Sequence, residues 1–114
     1  MAFSEFELKL IDETAGALCR NRSPLQHRQQ LRFEYRVTQH DVVIYETRPD
    51  YRDPTRWMEH EVAKLRYVRS ARQWRLYWLR ATLRWQAYAP LPSSPDVAEL
   101  VAEIDRDPHS CFFG

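Results

Sequence analysis

The chain has 114 residues, 44% apolar and 29% charged, with four Trp, six Tyr and five Phe. That length fits a single domain over 1–114 with one core, and the aromatic content excludes a disordered chain. Seventeen Lys and Arg against sixteen Asp and Glu leave a net charge of +1, far from the strong overall basicity of most nucleic-acid domains.

The first predicted element is a helix over 5–19. Ser4 and Glu7 have capping-box spacing, Phe3 and Leu8 are placed as a hydrophobic staple, and Leu8, Ile11, Ala15 and Leu18 recur at helical intervals. A polar stretch containing Pro24 follows. Leu31, Phe33, Tyr35 and Val37 then alternate with Arg32, Glu34 and Arg36, the pattern of a half-buried strand. If Gln39 and His40 form a two-residue loop, Val42, Ile44 and Glu46 face Val37, Tyr35 and Phe33 in a hairpin, and Glu46 points coreward. Residues 48–59 hold Pro49 and Pro54 among charged residues and read as a long irregular connection.

Three further strands are predicted over 61–69, 74–81 and 84–89, joined by turns at 70–73 and near Thr82. Pairing Arg69 with Trp74 places Ala63, Leu65, Tyr67, Trp74, Leu76, Trp78, Trp85 and Ala87 on a core face. The opposite face then carries Lys64, Arg66, Arg75, Tyr77, Arg84, Gln86 and Tyr88. A closing helix follows Pro95, with Ser94 as cap and Val97, Leu100, Val101 and Ile104 as its apolar stripe. The predicted architecture is α+β, a mostly antiparallel meander of about five strands flanked on one face by an N-terminal and a C-terminal helix.

Several chemistries find no support. Only Gly16 and Gly114 occur, so neither a P-loop nor a dinucleotide fingerprint can form. Cys19 and Cys111 stand alone with no knuckle spacing, and His109 with Cys111 lacks a fourth ligand, so two reduced thiols are expected, with no metal and no cofactor. No apolar run approaches a membrane span, and the acidic opening is unlike a secretory signal, which sets the expectation of a cytoplasmic protein away from membranes.

Three sites remain. Segment 62–95 contains seven basic residues and no acid, leaving −6 on the rest of the chain. Its predicted outer face, with Lys64, Arg66, Arg75, Arg84, Tyr77 and Tyr88, joins phosphate-neutralising cations to rings on which unpaired bases stack, the composition of a single-stranded RNA or DNA surface. Trp57 and the Phe112-Phe113 tail form the alternative, anchors for an acidic protein partner. Glu46, Arg48, Glu59 and His60 form the third, a carboxylate and histidine cleft for general acid–base chemistry. A metal-nuclease version fails because Val62 stands where an acid is needed two residues before Lys64. The sequence leans away from an enzyme, and no catalytic residue is assigned.

Four stretches stand out together: Met1-Ala2-Phe3-Ser4-Glu5-Phe6-Glu7-Leu8-Lys9, Glu46-Thr47-Arg48-Pro49 with Met58-Glu59-His60-Glu61-Val62-Ala63-Lys64, the meander from Trp74 to Tyr88, and Asp107-Pro108-His109-Ser110-Cys111-Phe112-Phe113-Gly114. On these residues the chain, from end to end, resembles a family of bacterial domains of unknown function, the one numbered 3024. The resemblance implies a compact stand-alone bacterial domain and brings no activity or residue role.

Overall fold

A computed structural model describes residues 3–27 and 30–114. It is an α+β fold in which one antiparallel sheet carries helices on one face only. The N-terminal helix runs as α1 (Glu5–Ile11), a π-helical turn (Asp12–Gly16) and α2 (Ala17–Asn21). The Ser4–Glu7 capping box forms as the sequence implies. The staple does not: Leu8 is exposed, while Phe3 is buried and stacks on Trp74 at 5.6 Å with the rings 7° apart. The Thr14 hydroxyl bonds the carbonyls of Leu10 and Ile11, and the wide turn after Ile11 rotates Ala15, Leu18 and Cys19 into the core.

The strands are β1 (Arg32–Val37), β2 (Asp41–Pro49), β3 (Trp57–Val68), β4 (Gln73–Leu79), β5 (Trp85–Ala87) and β6 (Ser93–Ser94). They are ordered β1-β2-β3-β4-β5, and β6 pairs with β4 beside β5. The first hairpin has the predicted register, with Val37 opposite Val42, Tyr35 opposite Ile44 and Phe33 opposite Glu46. A bulge between Ile44 and Tyr45 leaves Val62 without a β2 partner.

Two expectations about the meander are corrected. The connection predicted at 48–59 is strand at both ends: β2 runs to Pro49 and β3 starts at Trp57, so the pair extends as an arm and the loop shrinks to 50–56. The β3–β4 pairing is Tyr67 to Trp74 and Leu65 to Leu76, two residues from the predicted register, and an even displacement keeps the paired side chains, Ala63 onward on β3 and those of β4, on their predicted faces.

The β4–β5 turn inverts the next strand. Leu83 takes a left-handed φ of 65°, and Arg80 and Arg84 bond across a three-residue loop. That odd loop aligns Leu79 with Trp85 and Tyr77 with Ala87. Trp85 and Ala87 therefore join the outer face, and Tyr88 turns inward and is fully buried.

Helix α3 (Val97–Arg106) buries Val97, Leu100, Val101 and Ile104 and is capped by Asp96, whose carboxylate accepts from the Ala98 amide. Ser94 is not the cap; its buried hydroxyl accepts from the Asp96 amide. The three helical segments and the tail close one core with Val42, Ile44, Ala63, Leu65, Trp74, Leu76 and Tyr88 from the sheet. Among the described residues no helix is long and apolar enough to cross a membrane.

Candidate nucleic-acid interface

Alternation on a sheet covered from one side leaves the other face open. Its side chains come from Arg32, Glu34 and Arg36 on β1, Asp41, Val43 and Tyr45 on β2, and Glu59, Glu61, Lys64 and Arg66 on β3. Arg75 and Tyr77 on β4 and Trp85 on β5 complete it.

The half of this face near β1 is electrostatically closed. Arg36 reaches Glu59 at 3.1 Å and Glu61 at 2.9 Å while its guanidinium lies 4.7 Å from the Tyr45 ring centroid. Burial, then the charges of Glu34 and Glu59, push the Tyr45 phenol up. Arg32 stacks 4.5 Å from the Trp57 ring, with its Nε buried and without a hydrogen-bond partner.

The half built by β3, β4 and β5 is different. The Lys64 Nζ sits 4.9 Å from the Tyr77 ring centroid and 5.2 Å from that of Trp85. Burial, and next the charge of Arg66, hold its ammonium below the usual lysine range. Arg75 is exposed and forms no ion pair among the described residues. Arg66 is engaged: its Nε and Nη2 fork onto the two Asp41 oxygens at 2.7 and 3.0 Å. That guanidinium holds the Asp41 carboxyl below its ordinary range.

Of the six residues predicted for the surface, Lys64, Arg66, Arg75 and Tyr77 come together here. Arg84 is exposed but falls in the β4–β5 turn, outside the strands. Tyr88 is not on the surface at all. Its hydroxyl donates to Glu103 Oε2 at 2.7 Å and its ring packs against Phe112 at 5.1 Å; burial, then that carboxylate, push its phenol well above the usual tyrosine range. Sequence reasoning missed Trp85, which it placed in the core, and Asp41, a carboxylate brought to Arg66 by strand pairing rather than by nearness in the chain.

The other two predicted sites are altered. Phe112 is buried, and Phe113 packs edge-on to Phe33 at 5.4 Å beneath the Arg22 guanidinium at 3.6 Å. Three amides, those of Cys111, Phe112 and Phe113, donate to the Asp107 carboxylate and pin the tail. These rings complete the protein's own core and do not project as a peg; Trp57 remains partly exposed under Arg32.

The acid–base cleft is split by strand parity. Arg48 bonds Glu46 at 2.7 Å and His60 Nδ1 lies 3.9 Å from the same carboxylate, but Glu59 points to the opposite face and pairs with Arg36. A cleft of about 360 Å³ beside them is lined by Arg48, Pro49, Asp50, Tyr51, Met58 and His60, with Glu46 outside its lining. Cys19 and Cys111 are free thiols, and burial pushes the Cys19 thiol up to about 12. Among the described residues no group of three His, Cys, Asp or Glu is arranged to hold a metal ion.

Fold and surface together define a small α+β domain with one open, cation- and aromatic-bearing sheet face. The chain belongs to the family described as Domain of unknown function (DUF3024), whose model matches residues 3–114. No curated protein and no solved structure matches it.

Proposed function

We propose that the β3–β4–β5 part of the open face binds single-stranded nucleic acid. The observation that carries this reading is the Lys64 ammonium over both Tyr77 and Trp85 on a face that no helix covers. Flat rings on an open sheet suit unpaired bases, which present a π-face whatever their sequence, and a cation beside the rings suits the linking phosphates. Arg75 adds an exposed cation two residues from Tyr77 on the same face of β4. The protein-partner reading is weaker because the Phe112-Phe113 rings are used internally, and the enzyme reading is weaker because Glu59 leaves the cleft.

The test is binding of a labelled twelve-nucleotide oligo-dT and oligo-U across a salt series, with a K64S/R75S/Y77A variant as control. The expected result is salt-sensitive binding with a log–log slope of about −0.7 per phosphate neutralised, lost in the variant. Absence of binding by the wild type at low salt overturns the reading.

A further inference from the structure

Arg66 and Arg75 are direct register partners on neighbouring strands, and both side chains emerge on the open face. Like charges placed opposite one another across a sheet repel. Among the described residues only one of the two has a counter-ion: Asp41, the register partner of Arg66 on its other side, takes both arms of the Arg66 fork. The order across the strands is thus carboxylate, guanidinium, guanidinium, and the second guanidinium faces solvent.

A bidentate fork on a carboxylate has the geometry a guanidinium uses for phosphate. Tyr77 lies two residues from Arg75 on the same face of β4, about 7 Å along the strand. A nucleotide can therefore rest its base on Tyr77 with its phosphate at the Arg66–Arg75 pair. We infer that this pair is the phosphate position of the face and that Asp41 is a built-in competitor, occupying Arg66 until a phosphate displaces it. The inference rests on the strand-binding reading for the base, while the phosphate position itself is testable without a strand.

In the resting protein Arg66 then contributes little to phosphate contact, and Arg75 with Lys64 supplies most of it. Asp41 lowers affinity for any single phosphate and leaves the stacking rings untouched. It sits at the entry to β2, where Thr38 donates to its carbonyl to close the hairpin, so its backbone role is independent of its carboxylate.

The experiment compares wild type with Asp41→Asn, and with Asp41→Ser as a second variant should the first unfold. Inorganic phosphate is titrated while the Nε–H resonances of Arg66 and Arg75 are followed by NMR, and the oligo-dT salt series is repeated. In the variant, phosphate is expected to shift both resonances, with half-saturation about two- to fivefold lower, the worth of removing one exposed ion pair. The strand slope should steepen by about 0.7, one more phosphate neutralised.

Identical phosphate responses in wild type and both variants overturn the competitor role, even where the wild type binds strands and the face reading stands. The expected phosphate response without strand binding by either protein upholds the phosphate position and removes the strand. Thermal unfolding of each variant establishes that it is folded.

Discussion

Replacing Tyr88 by Phe separates the core from the surface, because Tyr88 is the residue whose position the structure changes most. Its ring is fully enclosed against Phe112, and its amide donates to the Leu76 carbonyl. Y88F keeps both and removes only the 2.7 Å hydrogen bond from the hydroxyl to Glu103. Glu103 retains Arg106 at 2.7 Å on its other oxygen, so no carboxylate is orphaned. A hydrogen bond to a charged acceptor contributes about 1.5–3 kcal/mol net, and the retained Arg106 bond places the loss near the middle, about 2 kcal/mol. For a chain of this size that corresponds to a fall in Tm of about 8 °C.

Urea unfolding followed by Trp fluorescence gives the free energy, and an unchanged m-value shows that the unfolded state is not altered. Strand binding, measured well below the lowered Tm, should equal that of the wild type. Unchanged stability would refute the buried hydrogen bond. Full stability with lost binding would place Tyr88 on the surface and refute the three-residue turn at Leu83.

Gly16→Ala should lower stability despite better helix propensity. Ala gains about 1 kcal/mol over Gly in a helix, but its Cβ would stand 2.6 Å from an Asp12 oxygen and 3.1 Å from Tyr35 Cε1, and overpacking of this kind costs about 1–3 kcal/mol; a raised urea midpoint contradicts it. Acid should destabilise the fold through Glu7, Asp12, Asp41 and Glu103, held below their ordinary ranges chiefly by Arg69, Tyr35, Arg66 and Tyr88 respectively. Stability from lowered carboxyl pKa values is complete above the unfolded value of about 4 and is lost as pH falls through the folded values. The urea midpoint should therefore be flat from pH 7 to 5.5 and decline below about pH 4, and a midpoint unchanged at pH 2 contradicts the pairing.

What the sequence revealed follows the physics of each element. The first hairpin was legible because apolar alternation on β1 and β2 admits only one parity around Gln39 and His40. Lys64, Arg66, Arg75 and Tyr77 were legible because Leu65 and Leu76 fix the buried parity of β3 and β4, and a two-residue error leaves parity intact. The fifth strand was legible as a strand, but not which of its side chains face the core. A left-handed residue in a hairpin turn is usually Gly or Asn, and here it is Leu83, which gives no such signal. The π-helical turn depends on Thr14 capturing two carbonyls, and Thr is common in ordinary helices. The β2–β3 arm was hidden because its outer part buries little, so apolar alternation had nothing to mark.

The charge of the site shows why linear composition misleads. Segment 62–95 reads as seven uncompensated cations, yet Arg66 is taken by Asp41 from β2 and Arg69 by Glu7 from α1, carboxylates that only the fold brings near. Arg72, Arg80 and Arg84 lie in the turns at the two ends of β4, and among the described residues Lys64 and Arg75 alone stand beside the rings with no paired carboxylate. Strand binding by the wild type should therefore neutralise about two phosphates, a slope near −1.4. A slope near −3.5 would mean that the turn arginines also take part and that the strand runs along β4 from one turn to the other. A slope near −1.4 confines it to the ground between Arg75 and Trp85, a footprint of few bases in which affinity depends on stacking more than on charge.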